Sequence, residues 1–202
     1  MIENLFPCPL GSYDLDRALT QKEIKHLKSK DLEDNVGNKA STTDDILEHE
    51  DVSNLEKFII DKLNEYSEET YNFDTDKIEI YITSSWTNKT EPGEWHHTHW
   101  HQNSFISGVF YFDGNDDTDI IEFSNKLAYL GDTWDFHPDE YNPYNAPNWW
   151  MPAPAGKLYL FPSQLRHSVP KVEGKKDRWS LSFNTFLRGD IGEQHQRTRL
   201  VL

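Results

Sequence analysis

Four of the nine histidines fall within six residues, in the run WHHTHWHQN (95–103). Imidazole nitrogens ligate iron, zinc and other borderline metals, so their spacing is the first thing to read. In an extended segment His97, His99 and His101 point to one face and His96 to the other. Alternate residues stand about 6.6 Å apart along a strand, near enough for two rings to angle onto one ion. His97 and His101, about 13 Å apart on a straight strand, are too distant to share it. His99 therefore belongs to any pair, with either His97 or His101 as its partner.

Further potential ligands lie downstream in GKLYLFPSQLRHSVP (156–170), where an alternating strand ends at Pro162 and Ser163 and His167 follows. A pair of imidazoles from one strand and a third from a distant one make a three-sided metal site. The remaining coordination positions stay open for water, substrate or O₂. In RWSLSFNTF (178–186) Trp179, Leu181 and Phe183 alternate with Arg178, Ser180, Ser182 and Asn184. The apolar face should pack on helices or a second sheet, turning Arg178, Ser180 and Asn184 towards the interior. A buried guanidinium is costly unless it meets an anion, and its planar fork matches a carboxylate. No acid in the neighbouring strands is an obvious permanent partner, so a bound dicarboxylate is expected there.

The elements that must hold these groups are legible in outline. Thr20 and Glu23 read as a capping box ahead of Ile24 and Leu27, and Ser53 with Glu56 as a second. Leu55, Phe58, Ile59, Leu63 and Tyr66 follow at helical spacing, as expected of a helix braced against a sheet. Between them, residues 28–50 carry so many charges and so few large apolar groups that a solvated loop is expected. After residue 76 the period changes to two. Ile78, Ile80 and Ile82 alternate with Glu79, Tyr81 and Thr83 in a strand running towards Trp86. SGVFYF (107–112), DIIEF (119–123), KLYLF (157–161) and RWSLSFNTF add more strands. The expected fold is mainly β, a sandwich or barrel with N-terminal bracing helices. A support region over 1–76 and a β core over 77–202 would make one domain. Residues 126–155 hold Trp134, Phe136, Tyr141, Tyr144, Trp149 and Trp150 among prolines and a glycine, which reads as a lid, a binding loop or a loop pinned by its own aromatics.

Composition narrows the function classes. Twenty Lys and Arg against 35 Asp and Glu give a net charge of −15. Such a surface repels phosphate backbones and anionic lipid, which argues against duplex nucleic acid and membrane surfaces as partners. No apolar run is long enough for a membrane span, and the start has no basic region followed by a long apolar stretch. The single cysteine, Cys8, fits a reducing cytoplasm, and any metal must rest on histidines and carboxylates. Exposed aromatics or an edge strand could support a homodimer.

Taken together, H-x-H at 99–101, SGVFYF, His167 and then R-x-S at Arg178 and Ser180 resemble the Fe(II)/2-oxoglutarate-dependent dioxygenase superfamily. More narrowly the chain is similar to its small bacterial and phage branch, with H-x-H-x-x-N before S-G-V-x-Y-F, over roughly residues 78–187. That resemblance implies a double-stranded β-helix, or jelly roll, and a cytoplasmic location (the host cytoplasm if phage-encoded). It implies that His99, His101 and His167 hold Fe(II), with His97 as an alternative ligand. Arg178 and Ser180 would grip the distal carboxylate of 2-oxoglutarate, with O₂ as second co-substrate and succinate and CO₂ as products. Asn103, Tyr111 and Asn184 are further candidate contacts. The oxidised substrate would be a small molecule or a peptide.

One departure stands out. The superfamily usually presents H-x-D or H-x-E, whereas this chain has His101 at that position. Glu94, Asp113 or Glu122 could instead supply a carboxylate. Competing readings are a cupin, a zinc enzyme with three histidine ligands and a non-enzymatic jelly-roll binding module. Gly156 and Pro162 partly match a cupin motif, but Gln164 and Lys171 depart from it, and a cupin gives no reason for Arg178 and Ser180.

Overall fold

The computed structural model describes residues 5–125 and 137–202. Two antiparallel sheets face each other, and helices cover the outer side of the larger one. In chain order the elements are β1 (Gly11–Asp14), α1 (Gln21–Lys28), β2 (Leu32–Asp34), β3 (Lys39–Ser41), a short 3₁₀ turn (Glu50–Val52) and α2 (Ser53–Thr70). Then come β4 (Ile78–Thr90), β5 (His96–His99), β6 (Ile106–Asp113), β7 (Ile120–Ser124), β8 (Asn148–Pro152) and β9 (Lys157–Pro162). β10 (His167–Val169), β11 (Arg178–Ile191) and β12 (Leu200–Val201) complete the chain. The major sheet runs β1-β9-β6-β11-β4-β3-β2 with β12 paired to β11, and the minor sheet runs β5-β10-β7-β8. This is the jelly-roll arrangement expected from the sequence.

Strand alternation decides what each face meets. On β6, Phe110 and Phe112 join the core under the helices, while Val109 and Tyr111 join the core between the sheets. β9 divides the same way, Leu158 and Leu160 against Tyr159 and Phe161. Both faces are buried, which is why these strands read as continuous apolar runs rather than alternating ones. α2 buries Leu55, Ile59, Leu63 and Tyr66 on the helix side, as its spacing predicts. Each such side chain taken fully out of water contributes about 1.5–3 kcal/mol. Trp179, Leu181 and Phe183 of β11 meet the same core, so Arg178, Ser180 and Ser182 must turn inwards. Gly108 stands opposite Phe183 in the β6–β11 register, and any Cβ there would overlap the Phe183 ring. The glycine of SGVFYF therefore makes room for a core aromatic.

The N-terminal region departs from expectation in two places. The Thr20–Glu23 capping box is present, but α2 grows directly out of the 3₁₀ turn, and its cap residue Val52 makes no side-chain cap bond. The Ser53–Glu56 box is thus not used. Residues 28–50 are not a solvated loop either. β2 and β3 pair as a hairpin that joins β4 at the edge of the major sheet, and Ile46 and Leu47 are fully buried. Edge strands of three residues are too short to show a period, and a charged edge is how a sheet end avoids further pairing. Within 126–155, β8 pairs along β7 and exposes Trp149 and Trp150; Trp134 and Phe136 lie outside the described residues. Among the described residues no helix is long and apolar enough to cross a membrane.

Candidate metal and dicarboxylate site

β5 pairs antiparallel with β10 so that His99 lies opposite His167. His101 comes just after β5, its N–H donating to the Ser163 carbonyl at 3.0 Å. The chain then turns through Asn103, whose φ of 54° is one that Asn tolerates better than most residues. Ring centroids of His99 and His167 are 4.3 Å apart, and His101 lies 5.2 Å from each. The Nε2 atoms of His101 and His167 are 3.3 Å apart. Two nitrogens each about 2.0–2.1 Å from one ion, at right angles, would be separated by about 3 Å. The arrangement fits a shared cation.

Backbone carbonyls aim two of the rings. Nδ1 of His99 lies 2.8 Å from the His97 carbonyl, and Nδ1 of His167 lies 3.0 Å from that of Leu165. A carbonyl can only accept, so each Nδ1 carries the proton and each Nε2 keeps its lone pair for a ligand. Burial lowers the pKa of all three rings, that of His101 to about 4 and that of His167 well below the usual histidine value. Neutral imidazoles are the form that binds metal.

His97 is not excluded by distance. His96, His97 and His99 form a second close group, with the His96 and His99 rings 4.4 Å apart. His99 is thus a hub with two alternative sets of partners. His97, however, does not line the cavity, whereas His99, His101 and His167 do. The suggested carboxylates stand elsewhere. Glu94 accepts the Glu91 N–H in a turn, Asp113 pairs with Lys28, and Glu122 is on the minor sheet opposite Trp150.

The same cavity reaches Arg178, which is 3% exposed. Its Nε has no hydrogen-bond partner, and Nη2 makes one long contact, 3.5 Å, to the Ile120 carbonyl. The guanidinium lies 4.8 Å from the ring of Tyr111 on neighbouring β6. Burial pushes the Tyr111 hydroxyl up to about 12 despite the pull of the Arg178 guanidinium beside it. Among the described residues no carboxylate pairs with Arg178. A buried cation without an anion costs several kcal/mol, so this end of the cavity is built for a bound anion. Ser180 and Ser182 line the wall beside it.

Besides His97 and the three carboxylates, Asn103 and Asn184 also do not reach the cavity. Asn103 is exposed in its turn. Asn184 accepts from Ser107 Oγ at 2.9 Å, within a hydroxyl network that also includes Ser104 and Ser163. Conversely, Trp86, Asn88, Asn38 and His96 line the cavity unannounced. Trp86 and Asn88 could have been found, because they stand opposite Ser182 and Ser180 and so share their inward face. Asn38 gave no signal, since it belongs to the hairpin that read as a loop.

A family of 2OG-Fe(II) oxygenases matches residues 84–184, half of the chain and the stretch that holds all of these cavity groups except Asn38. The chain belongs to that family and is an oxygenase. Among solved structures it is similar to the epimerase SnoN in complex with Fe³⁺, alpha ketoglutarate and nogalamycin RO, with 11% identity, TM-score 0.61, and coverage of 90% of this chain and 81% of that one. HygX from Streptomyces hygroscopicus with nickel and 2-oxoglutarate bound gives 9% identity, TM-score 0.55 and coverage of 88% and 82%. A prolyl-4-hydroxylase from Pseudomonas putida gives 13%, 0.54, and 88% and 92%. At such identities the likeness is one of fold. No curated protein matches the sequence.

Proposed function

We propose that this oxygenase uses Fe(II), 2-oxoglutarate and O₂ to hydroxylate an organic substrate, with His99, His101 and His167 as the iron ligands and Arg178 as the anchor of 2-oxoglutarate. The observation that carries the reading is the pairing, in one cavity, of three neutral imidazoles with a buried guanidinium that meets no carboxylate among the described residues. Bound Fe(II) and 2-oxoglutarate would, with O₂ as the oxidant, supply a species able to take a hydrogen atom from carbon, one oxygen atom going into succinate as CO₂ is released.

The protein's own part is positioning. Arg178 offers its two-pronged fork to the far carboxylate, with the Ser180 hydroxyl as a second donor and the Tyr111 hydroxyl within the same recess. A dicarboxylate gripped there would keep its other end free for the ion that the imidazoles would hold. The carbonyls of His97 and Leu165 hold the His99 and His167 rings in one tautomer, so the cation meets preset lone pairs. Phe161 and Trp86 pack on the imidazoles and keep bulk water from them, with ring centroids 4.8 Å from His167 and 5.7 Å from His101. Three neutral ligands leave the full dipositive charge on the ion, which strengthens its hold on an anionic co-substrate. A zinc centre with the same imidazoles would leave Arg178 without a role. The small molecules named with two of the similar structures, hygromycin B and nogalamycin RO, are in keeping with a small organic substrate.

The test is 2-oxoglutarate turnover to succinate with Fe(II) and ascorbate, which needs no natural substrate because slow uncoupled turnover suffices. Wild type should form succinate, and Arg178→Ala and His167→Ala should lose most of it. Equal succinate from all three proteins would overturn the assignment.

A further inference from the structure

The cavity lining includes two amide side chains, Asn38 and Asn88, each with an unpaired acceptor that the acceptor-only dicarboxylate cannot meet. Asn38 is 4% exposed and lines the cavity, and neither its Nδ2 nor its Oδ1 has a hydrogen-bond partner. Turning the amide over does not change this, because one donor and one acceptor remain unpaired either way. Each buried polar group left unsatisfied costs about 1–3 kcal/mol, which a partner entering the cavity would recover. Asn88 repeats the pattern next door. It is 6% exposed, its Nδ2 donates to Ser182 Oγ at 3.0 Å, and its Oδ1 is unpaired.

The chemistry of the missing partner follows by subtraction. At neutral pH 2-oxoglutarate carries only acceptors, so it can meet the Asn38 donor but not the Asn38 acceptor. That acceptor requires an N–H or O–H from another molecule. An amide side chain with donor and acceptor side by side is best met by a second edge of the same kind, an N–H and a C=O pointing the same way. Primary carboxamides and cyclic lactams or imides have such an edge. A trans peptide bond does not, because its N–H and C=O point in opposite directions.

The backbone that carries Asn38 is also held in place. Asn38 closes the β2–β3 turn, where Gly37 adopts a φ of +88° with the Trp95 carbonyl packed against it. The Trp95 N–H donates to the Gly37 carbonyl at 3.1 Å, and Asn35 Nδ2 lies 3.4 Å from His96 Nε2. The hairpin tip is thereby clamped to the segment that leads into His96 and His99.

We infer that Asn38, assisted by Asn88, is the specificity-determining contact for a substrate that presents a carboxamide or lactam edge to this cavity. The inference rests on the oxygenase reading of the site. Its test uses the Fe(II)- and 2-oxoglutarate-loaded full chain and four probes: benzamide, uracil and their donor-blocked forms N,N-dimethylbenzamide and 1,3-dimethyluracil. Anaerobic ligand-observed NMR reads binding, and the ratio of succinate formed with and without each probe reads coupling. Wild type should bind benzamide or uracil at least about tenfold more tightly than its methylated form. Which of the two is preferred separates a carboxamide source from a ring source.

Asn38→Leu should erase that preference. Asn38→Asp presents only acceptors and should shift the preference to benzamidine, which offers two donors; this gain cannot come from a protein that has failed to fold. A wild type that does not distinguish the free from the methylated probes would overturn the inference, as would an Asn38→Asp protein that still prefers benzamide to benzamidine. Absence of succinate from the wild type without any probe would instead remove the oxygenase reading, and the NMR arm would still decide whether the edge is recognised.

Discussion

The two sheets reach the cavity with very different strands. β11 and β4 run in register from Arg178↔Thr90 to Gly189↔Ile78, with one irregularity at Asn184/Thr185. β5 and β10 meet at two register points only, His167↔His99 and Val169↔His96, with a shift between them. The long pair is buried at the end that carries the guanidinium and opens to solvent towards Arg188 and Glu79. The short pair lies in a sheet whose outer side meets solvent and carries the imidazoles. A group that only has to hold one end of an anion can be set in the rigid part of the fold. The imidazoles proposed to share an ion stand near an open edge, and there the carbonyls of His97 and Leu165 supply the order that the short ladder lacks.

Substitutions on the two sheets should therefore fail differently. The largest effect is expected from His99→Ala or His167→Ala, which should lower iron affinity and succinate formation by more than about 100-fold, since even residues behind a metal ligand are worth 10–100-fold. Thermal unfolding of the metal-free protein should change little; a collapse of the fold would mean that the minor sheet is structural after all. Next comes Arg178→Gln. Charge-assisted hydrogen bonds are worth about 1.5–3 kcal/mol, so KM for 2-oxoglutarate should rise by about 10–100-fold, well beyond any fall in kcat. An unchanged KM would move the co-substrate to another part of the cavity.

On the major sheet, Gly108→Val drives a branched side chain into Phe183 and should destabilise by about 1–3 kcal/mol. Trp150→Ala on the exposed outer edge should stay within about 0.5 kcal/mol, and equal losses in chemical denaturation would erase the contrast between the sheets.

The smallest effect is one of pH. Burial lowers the pKa of His26, which contacts the Ile46 carbonyl at 2.9 Å beneath the helices. With a folded value below the unfolded one, near 6.5, the contribution is intact above about pH 6.5 and is lost as pH falls towards the folded value. The cavity imidazoles of the metal-free protein act in the same direction. The urea midpoint should fall between pH 7 and pH 5, and His26→Gln should flatten part of that slope. A midpoint that rose on acidification would contradict the sign.

Much of this was visible in residues that local rules govern. The parity of Trp179, Leu181 and Phe183 against Arg178, Ser180 and Ser182 sorts β11 into a core face and a cavity face without any partner strand. The stripe from Leu55 to Tyr66 does the same for α2. The β2–β3 hairpin was hidden because strands of three residues show no period, and Asn38 was hidden with it. Asn184 has the right parity but stands beyond the cavity, among the serine hydroxyls, and Asn103 serves its turn. Parity reports a face, not a position along the strand.

The sequence by itself narrowed the candidate donors and determined the alternation of the long strands and the fold class, because these depend on residue type and on spacings within single elements. Only the tertiary structure decided that His101 and His167 converge with His99 while His97 stays outside the cavity, that Arg178 meets no carboxylate among the described residues, and that a hairpin from residues 32–41 delivers Asn38 to the same cavity. Those outcomes depend on register and packing between segments far apart in the chain, where the energy of each contact is fixed by partners that no local pattern encodes.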